Sequence, residues 1–103
     1  MASANSNGGE IGSAPTGAAR RELLRRGHSL KSQLTVGRAG LSDAFLAQVR
    51  QSFTHVDLLK IRLDGDSPAE ADELAEELAS RVPCHVVQRI GRVALMYRPR
   101  NEN

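Results

Sequence analysis

Apolar and polar residues alternate through the segment 58–63, in which every second residue from Leu59 to Leu63 is apolar. This period of two predicts a half-buried β-strand. Lys60 and Arg62 fall on the opposite face of that strand. The pattern leaves open whether this face is exposed to solvent or covered by a helix, in which case the charged ends of the two side chains reach only its edge.

The residues after Ser42 follow a helical period instead. Leu46, Val49 and Phe53 recur at i, i+3 and i+7, which predicts a helix with one buried stripe. Ser42 is a favourable N-cap, and Leu41 with Leu46 occupies the two positions of a hydrophobic staple. We therefore expect a helix that begins at Ser42 and packs along one face.

Two further helices are predicted, one before and one after these elements. The segment 18–27 can turn Leu23 and Leu24 inward, and Gly27 is expected to end that helix. Residues 67–70 combine a capping box with proline at the first helical position, so a helix begins there. The apolar face of this last helix comprises Ala71, Leu74, Ala75, Leu78 and Ala79.

Three more strands complete the pattern. Residues 33–36 and 84–90 read as strands, and a tight Gly-Arg turn leads to a final strand whose inward set is Val93, Leu95 and Tyr97. The order of elements is α-β-α-β-α-β-β. Strands separated by helices imply parallel crossovers, and the last hairpin is antiparallel. The predicted fold class is therefore α/β, a compact domain with a four-stranded mixed sheet.

Composition is consistent with one small domain in a chain of 103 residues. Residues 1–17 are rich in Gly, Ser and Asn and are predicted to form a disordered tail, whereas residues 18–100 form the folded domain. We find no apolar run of membrane-spanning length and no secretory signal pattern. The single Cys84 excludes an intramolecular disulfide, and we expect a cytoplasmic protein.

Charge is segregated along the chain, although the formal net charge is only +2. Residues 18–40 contain six basic residues against Glu22 alone, a local balance of +5. Residues 64–77 contain seven acids and no base, and residues 81–100 contain five arginines and no acid. This arrangement predicts a basic side and an acidic side, and the basic side is a candidate surface for a polyanion.

The segment Gly37-Arg38-Ala39-Gly40 is a GxxG loop between the predicted first strand and second helix. Two glycines let the backbone approach a bulky partner closely, and the N-terminal amides of the next helix favour an anion. Arg38 adds positive charge where a phosphate would lie. The alternative is an ordinary turn that needs glycine for positive φ, and Asp43 would partly cancel the helix dipole.

Patterns typical of enzymes and metal sites are missing from the sequence. It contains no Ser-His-acid order, no Walker loop and no HExxH motif. The three histidines, His28, His55 and His85, are scattered, and only Cys84 could join them. The acids at 64–77 are spaced as a solvated helix face. We therefore expect no enzyme, no metal, no cofactor and no small-molecule substrate.

Three segments are distinctive when taken together: HSLKSQLTVGRAGLSDAFLAQV, LLKIRL and VVQRIGRVALMYRP. With the basic first helix and the acidic third helix, they resemble the CRM domain (chloroplast RNA splicing and ribosome maturation domain), in particular its stand-alone bacterial YhbY-like form. The resemblance covers about residues 18–100. It implies an RNA-binding domain whose GxxG loop is similar to the loop by which KH domains hold a nucleic-acid backbone. It also implies binding to ribosomal RNA in large-subunit precursors during ribosome assembly, whereas plant members act in group II intron splicing.

Matched residue by residue, the resemblance assigns RNA contact to the loop and to the arginines of the first helix. Basic residues elsewhere are further candidates. The predicted RNA-binding residues are Gly37, Arg38, Ala39, Gly40, Arg20, Arg21, Arg25, Arg26, Lys31, Lys60, Arg62, Arg92 and Arg98. Because aromatic residues are few, we expect recognition through shape and phosphates rather than base stacking. The alternative function is a protein-interaction module whose basic face binds an acidic protein partner.

Overall fold

The computed structural model describes residues 12–37, 39–64 and 67–99, and within them the elements follow the predicted α-β-α-β-α-β-β order. The predicted loop residue Arg38 and residues 1–11 of the predicted tail lie outside the described residues. The helices are α1 (Gly17–Ser29), α2 (Asp43–Ser52) and α3 (Pro68–Arg81). The strands are β1 (Leu34–Val36), β2 (Leu58–Leu63), β3 (His85–Ile90) and β4 (Val93–Tyr97).

The four strands form one mixed sheet in the order β1-β2-β4-β3. β1 runs parallel to β2, with Val36 opposite Leu63. β4 is antiparallel to both β2 and β3. The crossover through α3 therefore leaves a gap of one strand between β2 and β3, which β4 fills. The α/β class and the four-stranded mixed sheet are confirmed.

α2 and α3 cover one face of the sheet and enclose the main core. Both predicted helix starts are confirmed, because the Ser42 hydroxyl accepts a hydrogen bond from the Phe45 amide (3.1 Å) and the Ser67 hydroxyl accepts one from the Glu70 amide (3.2 Å). The two predicted apolar stripes face the sheet. The buried residues of the main core are Val36, Phe45, Leu46, Val49, Phe53, Leu59, Ile61, Leu63, Ala71, Ala75, Leu78, Val82, Cys84, Ala94 and Met96.

α1 covers part of the opposite sheet face, which is called the α1 face below. There Leu23 of α1 packs with Leu58, Val87 and Leu95 in a second, smaller core. The open question about β2 is thereby answered in part, because the end of the strand at Leu58 lies under the helix. The sheet is buried on both sides only where α1 crosses it.

The middle of β4 is buried on both faces because α1 covers it on one side and α2 and α3 cover it on the other. The predicted inward set is incomplete: Leu95 is buried against α1, but Val93 is only half-buried. The alternate residues Ala94 and Met96 are fully buried in the main core. A period-two pattern could not identify this strand as central, since both of its faces are apolar.

Gly27 does not end α1, which continues to Ser29, so that prediction is wrong. Its φ is not positive, as a C-terminal glycine cap would require. Instead, a Cβ atom at this position would lie 2.7 Å from Cδ2 of Leu95. The lack of a side chain at Gly27 lets the helix approach β4 closely.

The burial of Cys84 in the main core predicts that its thiol reacts slowly in the folded protein. Burial raises the pKa of its thiol to about 12, so the reactive thiolate is scarce at pH 8 and the sulfur is enclosed. We expect iodoacetamide to label Cys84 only after denaturation, as read by mass spectrometry. Because this pKa is higher in the folded state, its stabilising contribution is complete below about pH 9 and is lost as the pH rises towards 12. Rapid labelling of the folded protein at pH 8 would contradict this account.

Candidate nucleic-acid interface

The loop that joins β1 to α2 lies where the parallel strands β1 and β2 both end. The amide of Asp64 donates to the carbonyl of Val36 at 3.2 Å, which holds the two strand ends together. The amide of Leu63 donates to the carbonyl of Arg92 at 2.6 Å, so the β3–β4 turn lies at the same end. This region, called the loop end of the sheet, brings together the GxxG loop, the end of β2 and the last hairpin.

The backbone conformation requires glycine at one of the two loop positions but not at the other. Gly40 has a φ of +70°, and its amide donates to the Gly37 carbonyl at 3.0 Å to close a turn. Glycine at position 40 is therefore required by the backbone conformation. Gly37 does not have a positive φ, and a Cβ there would meet no described atom within 4 Å. Neither conformation nor packing within the described chain requires glycine at position 37, whereas close approach of a ligand would.

The N-terminus of α2 is a weak anion site by itself. The Ser42 side chain already caps the Phe45 amide, and the Ser42 amide donates to the Gly40 carbonyl at 3.0 Å. Asp43 places an exposed carboxylate in the first turn. That charge stabilises the helix dipole and opposes an incoming phosphate.

One side of the loop is acidic. Gly37 and Gly40 line a concavity of about 350 Å³. Its other lining residues are Asp64, Glu70, Glu73, Leu74 and Glu77. The acidic α3 was evident from the sequence, but its position against the glycine loop was not. Since like charges repel, this side of the loop disfavours a phosphate group, and the α1 face is the approach without these acids.

The α1 face is open at the loop end. The pairing register places Thr35, Arg62, Val93 and Ile90 side by side across the four strands. Ile90 is 67% exposed and Arg62 is exposed as well, so α1 does not reach this row. The loop therefore continues into an accessible strip of sheet.

Lys60 and Arg62 share a strand face but differ in their surroundings. The Lys60 side chain is half-buried, and its Nζ donates to the Leu30 carbonyl at 3.0 Å. The Arg62 side chain is 52% exposed, with its Nε 3.6 Å from Asp64. The face is thus partly covered at Lys60 and open at Arg62.

Two arginines of α1 bind groups far away along the chain. Arg20 donates from Nη2 to the Val87 carbonyl at 3.0 Å, at the point where a bulge interrupts the pairing of β3 with β4. Arg26 pairs with Asp57 at 2.6 Å, and this hydrogen bond raises the pKa of the Arg26 guanidinium. Arg20 thereby fastens α1 to β3, and Arg26 fastens it to the residue before β2, which leaves fewer of their N–H groups for a ligand.

Two other predicted cations also have partners. Arg25 forms an exposed ion pair with Glu22 in the same helix. Arg98 is half-buried and donates from Nη1 to the Pro83 carbonyl at 2.6 Å. The Arg98 contact ties the end of the described chain to the loop before β3.

Three predicted cations remain unpaired among the described residues: Arg21, Lys31 and Arg92. All three are exposed, and their side chains form no hydrogen bond or ion pair with any residue that the structure describes. Lys31 follows the end of α1, and Arg92 lies in the β3–β4 turn at the loop end. The structure thereby separates the described members of the predicted set into cations that have a partner within the chain and cations that have none among the described residues.

In the described part of the chain, no group of three or more His, Cys, Asp or Glu residues could hold a metal ion. Among the same residues, no helix is long and apolar enough to cross a membrane.

Fold and surface together define a small α/β domain with a glycine loop between an acidic concavity and an open strip of sheet that contains Arg62 and is adjoined by the unpaired Arg92. Residues 16–98 match the model of the CRS1 / YhbY (CRM) domain, and the chain belongs to this family. The predicted resemblance is confirmed.

Similar proteins occur in bacteria and plants. The chain is 33% identical over 82 residues to Probable RNA-binding protein PA4753 of Pseudomonas aeruginosa, covering 77% of this chain and 76% of that protein. It is 26% identical to Probable RNA-binding protein YqeI of Bacillus subtilis, covering 85% and 92%. It also matches CRS2-associated factor 2, chloroplastic, of Oryza sativa at 29% identity, but covers only 15% of that longer protein.

A solved structure has the same fold. The solution structure of the hypothetical protein SAV1595 from Staphylococcus aureus matches with a TM-score of 0.72 and 25% identity. The match covers 82% of this chain and 88% of that one.

Proposed function

We propose that this protein is a non-enzymatic, cytoplasmic RNA-binding protein that binds ribosomal RNA in large-subunit precursors during ribosome assembly. The observation that carries the proposal is Gly37, a loop glycine that the described fold does not require, beside an open strip of sheet that contains Arg62. The names of the bacterial relatives support RNA as the partner. The association with large-subunit precursors rests on the family resemblance.

In this proposal the loop 37–40 holds phosphates through backbone amides other than that of Gly40, which already donates to the Gly37 carbonyl, and Arg38 adds charge. Arg21, Lys31 and Arg92 extend the contact along the α1 face, since their donors are not used within the described chain. Arg62 would join them at the loop end. Recognition would depend on backbone geometry, because phosphate contacts position a protein on a nucleic acid but do not read its sequence. The binding domain spans 18–100, with residues 1–17 as a tail.

Fluorescence anisotropy with the full chain tests this proposal. The protein is titrated into labelled fragments of large-subunit precursor RNA. Its affinity for them is compared with its affinity for labelled small-subunit fragments of equal length and for labelled polyglutamate. We expect tighter binding to the large-subunit fragments, and intact RNA on a gel after incubation. Tighter binding to polyglutamate would favour the alternative of an acidic protein partner. Binding to all RNA fragments alike would retain RNA binding but remove the proposed specificity.

The unpaired cations give a prediction on salt dependence. Each of the single variants Arg21→Ala, Lys31→Ala and Arg92→Ala is expected to reduce the slope of log affinity against log salt by about 0.7–0.9, as one phosphate contact is lost. Arg25→Ala is the matched control, because this arginine is exposed but paired with Glu22. An equal change of slope in the control would show that net charge, and not position, determines binding.

The acidic concavity gives a second prediction. Glu73→Gln is expected to tighten RNA binding about twofold at low salt, because a carboxylate beside the glycine loop no longer repels phosphate. Glu76→Gln is the control, since Glu76 is exposed on the same helix but does not line the concavity. If both variants bind RNA as the unmodified protein does, the acids of the concavity do not oppose RNA binding at the glycine loop.

A further inference from the structure

A groove of about 350 Å³ opens on the α1 face beside the loop end. Its apolar lining includes Leu30, Val93 and the exposed Ile90, and its polar lining includes Ser32 and Gln88. One wall is the segment after α1, which Lys60 holds in place through its hydrogen bond to the Leu30 carbonyl. The groove therefore exists before any ligand binds.

We propose that this groove binds an unpaired nucleobase of the RNA whose backbone lies on the glycine loop. The inference rests on the proposed function and extends it from phosphates to one base. A nucleobase has flat apolar faces and an edge of hydrogen-bonding groups. Apolar walls with a few placed polar groups are the usual lining of a site for such a molecule. The Ser32 hydroxyl and the Gln88 amide can each donate and accept at that edge.

Charge around the groove favours a nucleotide over an apolar protein segment. Lys31 lies between the lining residues Leu30 and Ser32, and Arg92 precedes the lining residue Val93. No acid lines this groove among the described residues, in contrast to the concavity on the other side of the loop. An occupant with an apolar part and negative charge matches this lining, as a nucleotide does.

The distance between groove and loop suits one short strand of RNA. Val93 and Thr35 lie two strands apart in the register, with Arg62 between them. Neighbouring strands are about 4.8 Å apart, so these two positions are roughly 10 Å from each other. Gly37 follows Thr35 by two residues. A single strand can thus place a base in the groove, pass Arg62 and reach the loop.

The test compares single-stranded and fully paired RNA. The full chain is titrated with a single strand carrying 2-aminopurine and with the same sequence in a duplex, whose bases are not available to the groove. Ile90→Ser is expected to weaken single-strand binding about fivefold, with duplex binding and the salt slope unchanged. Gln88→Glu, which adds a negative charge to the groove, is expected to weaken single-strand binding more than duplex binding. The emission of 2-aminopurine should change on binding the unmodified protein and change less with either variant.

Val56→Ser is the matched control, because Val56 is the other exposed large apolar residue of the described chain and does not line the groove. If the unmodified protein binds RNA and both groove variants bind the single strand equally well, the base site is wrong and the proposed function stands. If the unmodified protein binds neither RNA, the proposed function itself fails. If Ile90→Ser instead converts a dimer to a monomer in gel filtration, the groove is an interface between two copies and the inference is overturned.

Discussion

Gly27→Val is expected to lower the free energy of unfolding by about 2 kcal/mol, the usual cost of adding atoms to a packed interior. A Cβ at this position would lie 2.7 Å from Cδ2 and 3.0 Å from Cδ1 of Leu95. Leu95 is itself packed in the small core with Leu23 and Leu58, so that moving its methyl groups to make room disturbs this packing. For a domain of this size the melting temperature should fall by roughly 10 °C, measured by circular dichroism.

Gly27→Ala separates the cost of the close contact with Leu95 from the gain in helix propensity. Alanine favours a helix over glycine by about 1 kcal/mol, which offsets part of the cost of the close contact. We therefore expect the alanine variant to be near the unmodified protein in stability and the valine variant to be clearly below it. A valine variant as stable as the unmodified protein would show that α1 can move away from β4.

Gly37→Val is expected to weaken RNA binding about tenfold without a change in melting temperature. The side chain has open space within the described protein and no positive φ to oppose it. It would, however, hold a phosphate away from the loop amides, and hydrogen bonds to a charged group contribute about 1.5–3 kcal/mol each. Anisotropy and thermal melting of the same samples measure the two quantities.

Two controls accompany this variant. Ala47→Val places the same side chain on the exposed surface of α2 and should leave binding unchanged. Gly40→Ala should reduce stability, because its φ of +70° disfavours a side chain. Normal RNA binding by folded Gly37→Val would show that the loop does not contact the RNA backbone.

Local signals in the sequence predicted the elements well. Ser42 and Ser67 cap helices as expected, since a cap depends only on residues three positions away. Gly27 was misread because its requirement comes from Leu95, far along the chain, and not from its own helix. Burial of both faces of β4 could not be predicted for the same reason, because it depends on which helices lie on each side.

For the candidate site, the sequence offered residue types but not their arrangement in space. Summing charge by segment suggested that the arginines of the first helix are unbalanced, but Arg26 pairs with Asp57, 31 residues later, and Arg20 binds a carbonyl 67 residues later. The charge sums also assigned the acids of α3 and the glycine loop to different segments of the chain. In the fold, these acids and the loop line the same concavity. Long-range packing, which no sequence pattern encodes, decides which cations stay available.

We propose that RNA contacts the glycine loop from the α1 face. The best test of this contact is a titration of the ¹⁵N-labelled protein with a large-subunit precursor RNA fragment, in which the amide chemical shifts are measured at each step. We expect the largest shifts at Gly37, Ala39 and Gly40 and along the strip with Arg62 and Arg92. Shifts confined to the acidic surface of α3, with the loop amides unchanged, would contradict the account.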